Sequence, residues 1–146
     1  MMSLTTTIFR EGAITPDTIA TCLQQYATDQ SIGGYSCFIG QVRADIVNGN
    51  TVTAIEYTTY REMAETAVRD IATQIQQQYA LTAVEVLHSL GTVAAGGICL
   101  LVLTAAPHRK AAMQACDLLV ERIKAEVPIW GKEILNENDY QWKVNQ

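Results

Sequence analysis

Several absences narrow the possibilities at once. There is no Cys-x-x-Cys pair, and Cys22, Cys37, Cys99 and Cys116 are widely spaced with no histidine pattern beside them, which argues against zinc or any other metal held by these thiols. Each lies in or beside an apolar run, so all four are expected to be buried free thiols in a reducing compartment; the sharper alternative is a persulfide carrier. Basic charge is scarce. Ten Lys and Arg stand against fifteen Asp and Glu, a net charge of -5, so neither nucleic acid nor an anionic membrane surface is an expected partner. Any anion bound must meet a local basic cluster. No basic segment followed by an apolar core opens the chain, which points to the cytoplasm. The stretch from Val86 to Pro107 carries no charge besides that of His88 and is long enough on paper to span a bilayer. Gly91, Gly96 and Gly97 break it, and it reads instead as two buried strands around a glycine turn. Repeats, low-complexity stretches and linkers are also lacking. The 146 residues therefore read as a single domain, 1–146, that buries roughly two-thirds of its unfolded surface, with loosely held residues at the extreme N-terminus and after Trp142.

What is present is an alternation of strand-like and helix-like patterns. Thr15-Pro16-Asp17 is a helix start, with a capping threonine, proline at the first helical position and an acid at the positive dipole end. Ile19, Leu23 and Tyr26 give that helix its apolar face. Tyr35 to Arg43 and Val52 to Tyr60 are β-like, with a turn at Asn48-Gly49-Asn50 between them, and are expected to pair antiparallel. From Arg61 to Tyr79, Met63, Ala64, Ala67, Val68, Ile71, Ala72 and Ile75 recur at helical spacing. Strands are expected at about Val84–His88 and Ile98–Thr104. A last helix then starts near His108, turns Met113, Cys116, Leu119, Val120 and Ile123 inward, and is stopped by Pro128. The fold class is α+β.

Three places can carry chemistry. His108-Arg109 stands where a strand gives way to a helix, so basic side chains and free backbone amides meet at the positive dipole end, as a phosphate requires. A plain surface basic pair is an equal alternative. Arg43 leaves an apolar strand beside Gly40 and lines a pocket if one exists there, although solvated strand-end arginines are commoner. Lys124 follows Ile123 and lies four residues after Val120, so its stem rests on apolar surface while its amine faces whatever the helix end faces. Such a lysine suits acid–base or covalent chemistry; most helix-end lysines are merely solvated. His88 reads as a packed strand histidine rather than a ligand.

Taken together, Phe38-Ile-Gly-Gln-Val-Arg43, Ile55-Glu-Tyr-Thr-Thr-Tyr60 with Met63-Ala64-Glu65, His108-Arg109, and Lys124 through Glu133 with Val127-Pro-Ile-Trp130 resemble the MoaE family over most of the chain. The resemblance implies an α/β-hammerhead fold with antiparallel strands and three main helices, and the activity of a molybdopterin synthase large subunit. Its implied partners are a second copy of the chain and, within a heterotetramer, a small ubiquitin-like sulfur carrier ending in a Gly-Gly thiocarboxylate. Its implied reaction is sulfur transfer to cyclic pyranopterin monophosphate, or precursor Z, giving the molybdopterin dithiolene without metal or cofactor. Carried over by position, Lys124 is the principal catalytic lysine. Gln41, Val42, Arg43, His108, Arg109, Gly131, Lys132 and Glu133 join it as substrate-binding positions.

The chain departs from the family pattern where a second lysine usually follows the tryptophan, for Trp130 is followed by Gly131. Lys132 is expected to fill that catalytic place in part, provided Gly131 turns the backbone. Ser89 and Thr58 stand where arginine and a carboxylate are common. Sixteen helical steps put His108 roughly 24 Å from Lys124. One pocket of one chain cannot take both, so the site is expected to be shared, Lys124 of one protomer facing His108 and Arg109 of its partner. Two other readings stand beside the enzyme: a weakened homologue that only binds the carrier, for which Gly131 speaks, and a phosphate-binding regulator built on His108-Arg109.

Overall fold

The computed structural model describes residues 7–136 and 139–144. In chain order the elements are β1 (Phe9–Glu11), α1 (Pro16–Gln24), β2 (Gly34–Gln41), β3 (Ile46–Val47), β4 (Asn50–Thr59), α2 (Arg61–Tyr79), β5 (Ala83–Ala94), β6 (Ile98–Ala106), α3 (Arg109–Glu126), β7 (Ile129–Leu135) and β8 (Asp139–Trp142). The strands form a sheet in the order β2-β6-β5-β4-β7-β8, with β1 added parallel to β5 and β3 paired with β4. All other pairings are antiparallel. The expected α+β class and three main helices are thus present. The expectation of loose ends falls partly outside the described residues.

The central strands are covered on both sides, which is why they read as continuous apolar runs. Val84, Val86 and Val102 pack under α2 and α3, through Val68, Ile71, Leu119 and Ile123 among others. Leu87 and Leu101 point to the opposite face, where Cys22 and Ile19 of α1 cover them. On that face lies Glu85, 1% exposed, which accepts a hydrogen bond of 2.6 Å from the Tyr26 hydroxyl. Burial and this bond push the Tyr26 pKa well above its ordinary value. Thr15 caps α1 as its sequence predicts, its hydroxyl accepting from the Thr18 amide at 3.3 Å.

Several expectations are corrected. β2 and β4 do not pair with each other: the Asn48-Gly49 turn joins β3 to β4, and β2 crosses to the far edge beside β6. Turn chemistry at residues 48–49 is strictly local and fixes only the hairpin that it closes. Leu23, Met63 and Met113, expected on inward faces, are 39%, 63% and 59% exposed, because each lies on the flank of its apolar stripe. Cys37 is exposed on edge strand β2, whereas Cys22, Cys99 and Cys116 are buried as expected. β1, β7 and β8 had no sequence expectation.

Two features of this fold shape its pockets and its helix ends. β5 pairs with β6 through Ala83–His88 and then with β4 through Gly91–Ala94, changing partner where Gly91 takes a φ of 75°. The sheet bends there, and His88 sits at the bend. The second is the Gly33-Gly34 pair, which lets β2 run hard against the segment entering α3. A Cβ on Gly33 would overlap the Pro107 carbonyl oxygen, and one on Gly34 would come within 3.2 Å of the Arg109 Cα. Gly33→Ala is therefore expected to lower unfolding free energy by about 1–3 kcal/mol, because backbone and not a flexible side chain must yield; urea denaturation measures it.

Candidate active site

At the bend of the sheet an open cavity of about 700 Å³ lies between the end of β2, the start of β6, the C-terminal end of α3 and strands β7 and β8. α3 carries Lys124 into it. Ala112, Ala115, Cys116, Leu119, Val120 and Ile123 hold that helix on the sheet, and Val127, extended before Pro128, ends it. The helix is therefore anchored on one side up to the turn from which Lys124 projects. Lys124 is partly buried and interacts with groups around it. Across the cavity stand Arg43 and Gln41 from the β2 end, with Glu133 and Gly131 from β7. Arg43 is mostly exposed and pairs with Asp45 at 3.4 Å. Glu133 is 7% exposed, and its carboxylate accepts a hydrogen bond of 2.9 Å from the Gln141 side chain.

The floor is formed by three residues that sequence reasoning missed. Tyr57 and His88 meet edge to face at 5.1 Å between ring centres, and Cys99 lies beside Tyr57. Burial and the neighbouring thiol hold the Tyr57 pKa far above its ordinary value, so it is a neutral phenol. His88 Nδ1 is 2.7 Å from the Ser89 carbonyl oxygen, which fixes the proton on Nδ1. The signal for His88 is present in the sequence: a lone histidine inside an uncharged run. Periodicity alone assigns it to packing.

Burial lowers the His88 pKa to about 4, with the charge of Lys124 acting in the same direction. The unfolded chain, with an ordinary value of 6.5, binds the proton more readily than the folded one. This contribution to stability is thus full above pH 6.5 and is lost as the pH falls toward 4, by at most about 3 kcal/mol. The depressed carboxylates, Asp29 and Glu126, act lower, below their ordinary values of 3.8 and 4.5. Stability measured by urea titration between pH 7 and 4.5 is expected to fall in the wild type and to fall less in His88→Phe.

The other predicted residues lie elsewhere. Val42 is 2% exposed, with its side chain in the core and its amide and carbonyl bonded to Gly97 and Gly96, so it offers a ligand nothing directly. The irregular register at Gly40/Gln41 turns Val42 inward between its neighbours. Lys132 also misses the cavity. Gly131 is regular strand opposite Tyr57 and makes no turn, so alternation sends the next side chain to the other face. There the Lys132 ammonium sits 3.3 Å from Glu56 and 4.9 Å over the Tyr140 ring. The turn on which its substitution for a second lysine depended does not occur. Position 131 itself does face the cavity, but a Cβ there would come within 3.0 Å of Ile55 and 3.3 Å of the Tyr57 ring, which covers the glycine. His108 and Arg109 are exposed at the opposite end of α3, with His108 as its N-cap residue. They do not line the cavity that holds Lys124. No group of three or more His, Cys, Asp or Glu able to hold a metal occurs among the described residues, and none of their helices is long and apolar enough to cross a membrane.

An α+β domain with a polar cavity at a sheet bend, fed by a lysine from a helix end, is the class that this geometry defines. Residues 13–126 match the MoaE protein family, and the chain belongs to it. A molybdopterin synthase catalytic subunit from Drosophila grimshawi is 38% identical over 80% of this chain, which spans 33% of that relative. The chain spans 60% of the length of the corresponding human subunit, at 35% identity. Among solved structures, molybdopterin synthase from Staphylococcus aureus superposes with a TM-score of 0.83 at 27% identity, covering 95% of this chain and 97% of that one. A chain from the complex of subunits 1 and 2 of molybdopterin-converting factor from Helicobacter pylori shares the fold, with a TM-score of 0.78 at 21% identity over 92% of this chain and 87% of its own.

Proposed function

We propose that this chain is the large, catalytic subunit of a molybdopterin synthase, a sulfurtransferase that moves sulfur from a carrier's C-terminal thiocarboxylate to precursor Z. The observation that carries the proposal is Lys124, brought by an anchored helix end into a polar cavity with Arg43, Gln41 and Glu133, in a chain of the MoaE family. The carrier's thiocarboxylate sulfur forms a C–S bond to the substrate as a substrate C–O bond breaks, water then cleaves the carrier's acyl C–S bond to leave its carboxylate, and the departing substrate oxygen needs a proton. In this reading the Lys124 ammonium supplies it, and Arg43 offsets negative charge. Glu133, oriented by Gln141, supplies a fixed acceptor for substrate donors.

The cavity is open, in keeping with entry of a chain terminus from a small carrier. His108, Arg109 and the free amides of α3 complete the proposed site from a second protomer, where they hold the substrate phosphate. This makes the working unit a homodimer within a heterotetramer. Its four free cysteines suit a cytoplasmic setting. The decisive experiment is single-turnover conversion of precursor Z by this chain with thiocarboxylated carrier, followed by mass spectrometry of the pterin. Carrier binding without conversion would instead support the scaffold reading, which the glycine at position 131 and the remote Lys132 favour.

A further inference from the structure

His88 takes no part in the proton transfer and charge stabilisation given to Lys124 and Arg43, yet it is built into the cavity floor with more constraint than core packing requires. Its ring lies between Tyr57 of β4, at 5.1 Å, and Phe9 of β1, at 6.2 Å, and its Nδ1 is committed to the Ser89 carbonyl. With the proton held on Nδ1, Nε2 carries a lone pair and accepts only. No protein group among the described residues bonds it. Nor is any side-chain nitrogen or oxygen among them buried without a partner, so Nε2 opens onto the cavity that His88 lines. The titratable and charged groups around that space are Lys124 from α3, Tyr57 from β4, Cys99 from β6, Glu133 from β7, Arg43 and Asp45 after β2, and Lys143 after β8.

We infer that His88 is a substrate-positioning residue, whose Nε2 accepts a hydrogen bond from an N–H or O–H donor of the heterocycle bound in this cavity. The inference rests on the proposed substrate occupying the cavity. A neutral imidazole suits the task because it stays an acceptor throughout the neutral range, whereas a protonated one would present a donor and repel Lys124. Rigid mounting adds selectivity: a ligand with an acceptor at that point leaves both lone pairs facing each other, and one with a carbon leaves Nε2 desolvated and unpaired. A pterin ring system, with its several N–H groups, has the complementary chemistry.

The test uses the wild-type chain and three variants with precursor Z. Nitrogen NMR of labelled histidine reports Nε2 directly: its resonance is expected to move upfield on saturation with substrate, while Nδ1 remains protonated. Calorimetry is expected to show substrate affinity about tenfold weaker in His88→Phe and in His88→Asn, which keeps a donor toward Ser89 but has no atom at Nε2. His88→Gln, whose amide oxygen can take the Nε2 place, should recover most of that loss. Kinetically the loss should fall on KM more than on kcat. An Nε2 resonance unmoved while calorimetry shows binding overturns the inference and leaves the sulfurtransferase reading intact, even if every variant fails to fold. Equal loss in Phe, Asn and Gln variants would likewise overturn it in favour of packing. Absence of both binding and turnover in the wild type with its carrier would instead defeat the underlying assignment.

Discussion

Lys124→Ala is expected to slow single-turnover sulfur transfer by about 10²–10⁴-fold while leaving the fold intact. The fold should survive because the apolar contacts that hold α3 to the sheet come from other residues. α3 is held by Leu119, Val120 and Ile123, and its last turn by the Val127 amide, which donates to the Ile123 carbonyl at 3.1 Å. The chemistry should not survive, since among the described residues Lys124 is the only lysine besides Lys143 that lines the cavity. Lys143, partly buried like Lys124, follows Trp142 at the end of β8, where its backbone amide donates to the Gly131 carbonyl at 2.8 Å, so it reaches the cavity from the β7–β8 side and not from the helix end. Lys124→Arg separates the two ways in which the amine can act. Arginine keeps the charge but neither releases a proton near neutral pH nor bonds a carbonyl carbon, so a loss as large as alanine's assigns proton transfer or covalent chemistry. Recovery of most of the rate assigns charge alone. Lys132→Ala is the internal contrast, and it should change turnover by less than about fivefold, because a partly exposed ion pair with Glu56 contributes little. Comparable losses at positions 124 and 132 would refute this placement.

The outcome for these two lysines shows what the sequence can and cannot convey. Lys124 was legible because a helix is one-dimensional: Val120, Ile123 and Pro128 fix both its face and its end, and the lysine's direction follows. Lys132 was misplaced because no helix-like or alternating run announced β7, whose IWGKEIL sequence is shaped by its neighbours β4 and β8. Without the strand there is no alternation from which to learn that residues 131 and 133 share one face and residue 132 the other. The same physics hid the floor of the cavity. Tyr57 of β4 meets His88 and Cys99 of the β5–β6 hairpin only because β5 changes partners near Gly91, with the whole of α2 between β4 and β5 in sequence. Long-range register of that kind leaves no local trace. Strands β5 and β6, by contrast, were visible as apolar runs, and α2 fell at its expected limits, since each depends on local pattern alone.

The second large effect concerns assembly. α3 runs from Arg109 to Glu126, which puts His108 and Arg109 about 24 Å from Lys124 along one chain, and only Lys124 faces the cavity. If a complete site takes Lys124 from one protomer and Arg109 from its partner, then Lys124→Ala and Arg109→Ala should each be nearly inactive alone and restore activity when mixed. In a mixed dimer one pocket collects both substitutions and the other collects none. Equal mixing with free exchange makes about half of the dimers mixed, each with one intact pocket, so recovered activity should reach about a quarter of the wild-type value. The pockets are taken to act independently, and differently tagged subunits allow the mixed species to be purified and assayed at about half of the wild-type rate. The number distinguishes the alternatives without adjustment. A site contained in one chain gives no recovery at any mixing ratio, because every pocket still carries one substitution. Recovery well above a quarter would mean that Arg109 matters little to begin with, and the Arg109→Ala homodimer, assayed alone, would already show it. Salt provides a second check on the same geometry: a phosphate held by Arg109 at a helix N-terminus is a charge contact, so wild-type KM should rise with ionic strength and that of the Arg109→Ala protein should rise less.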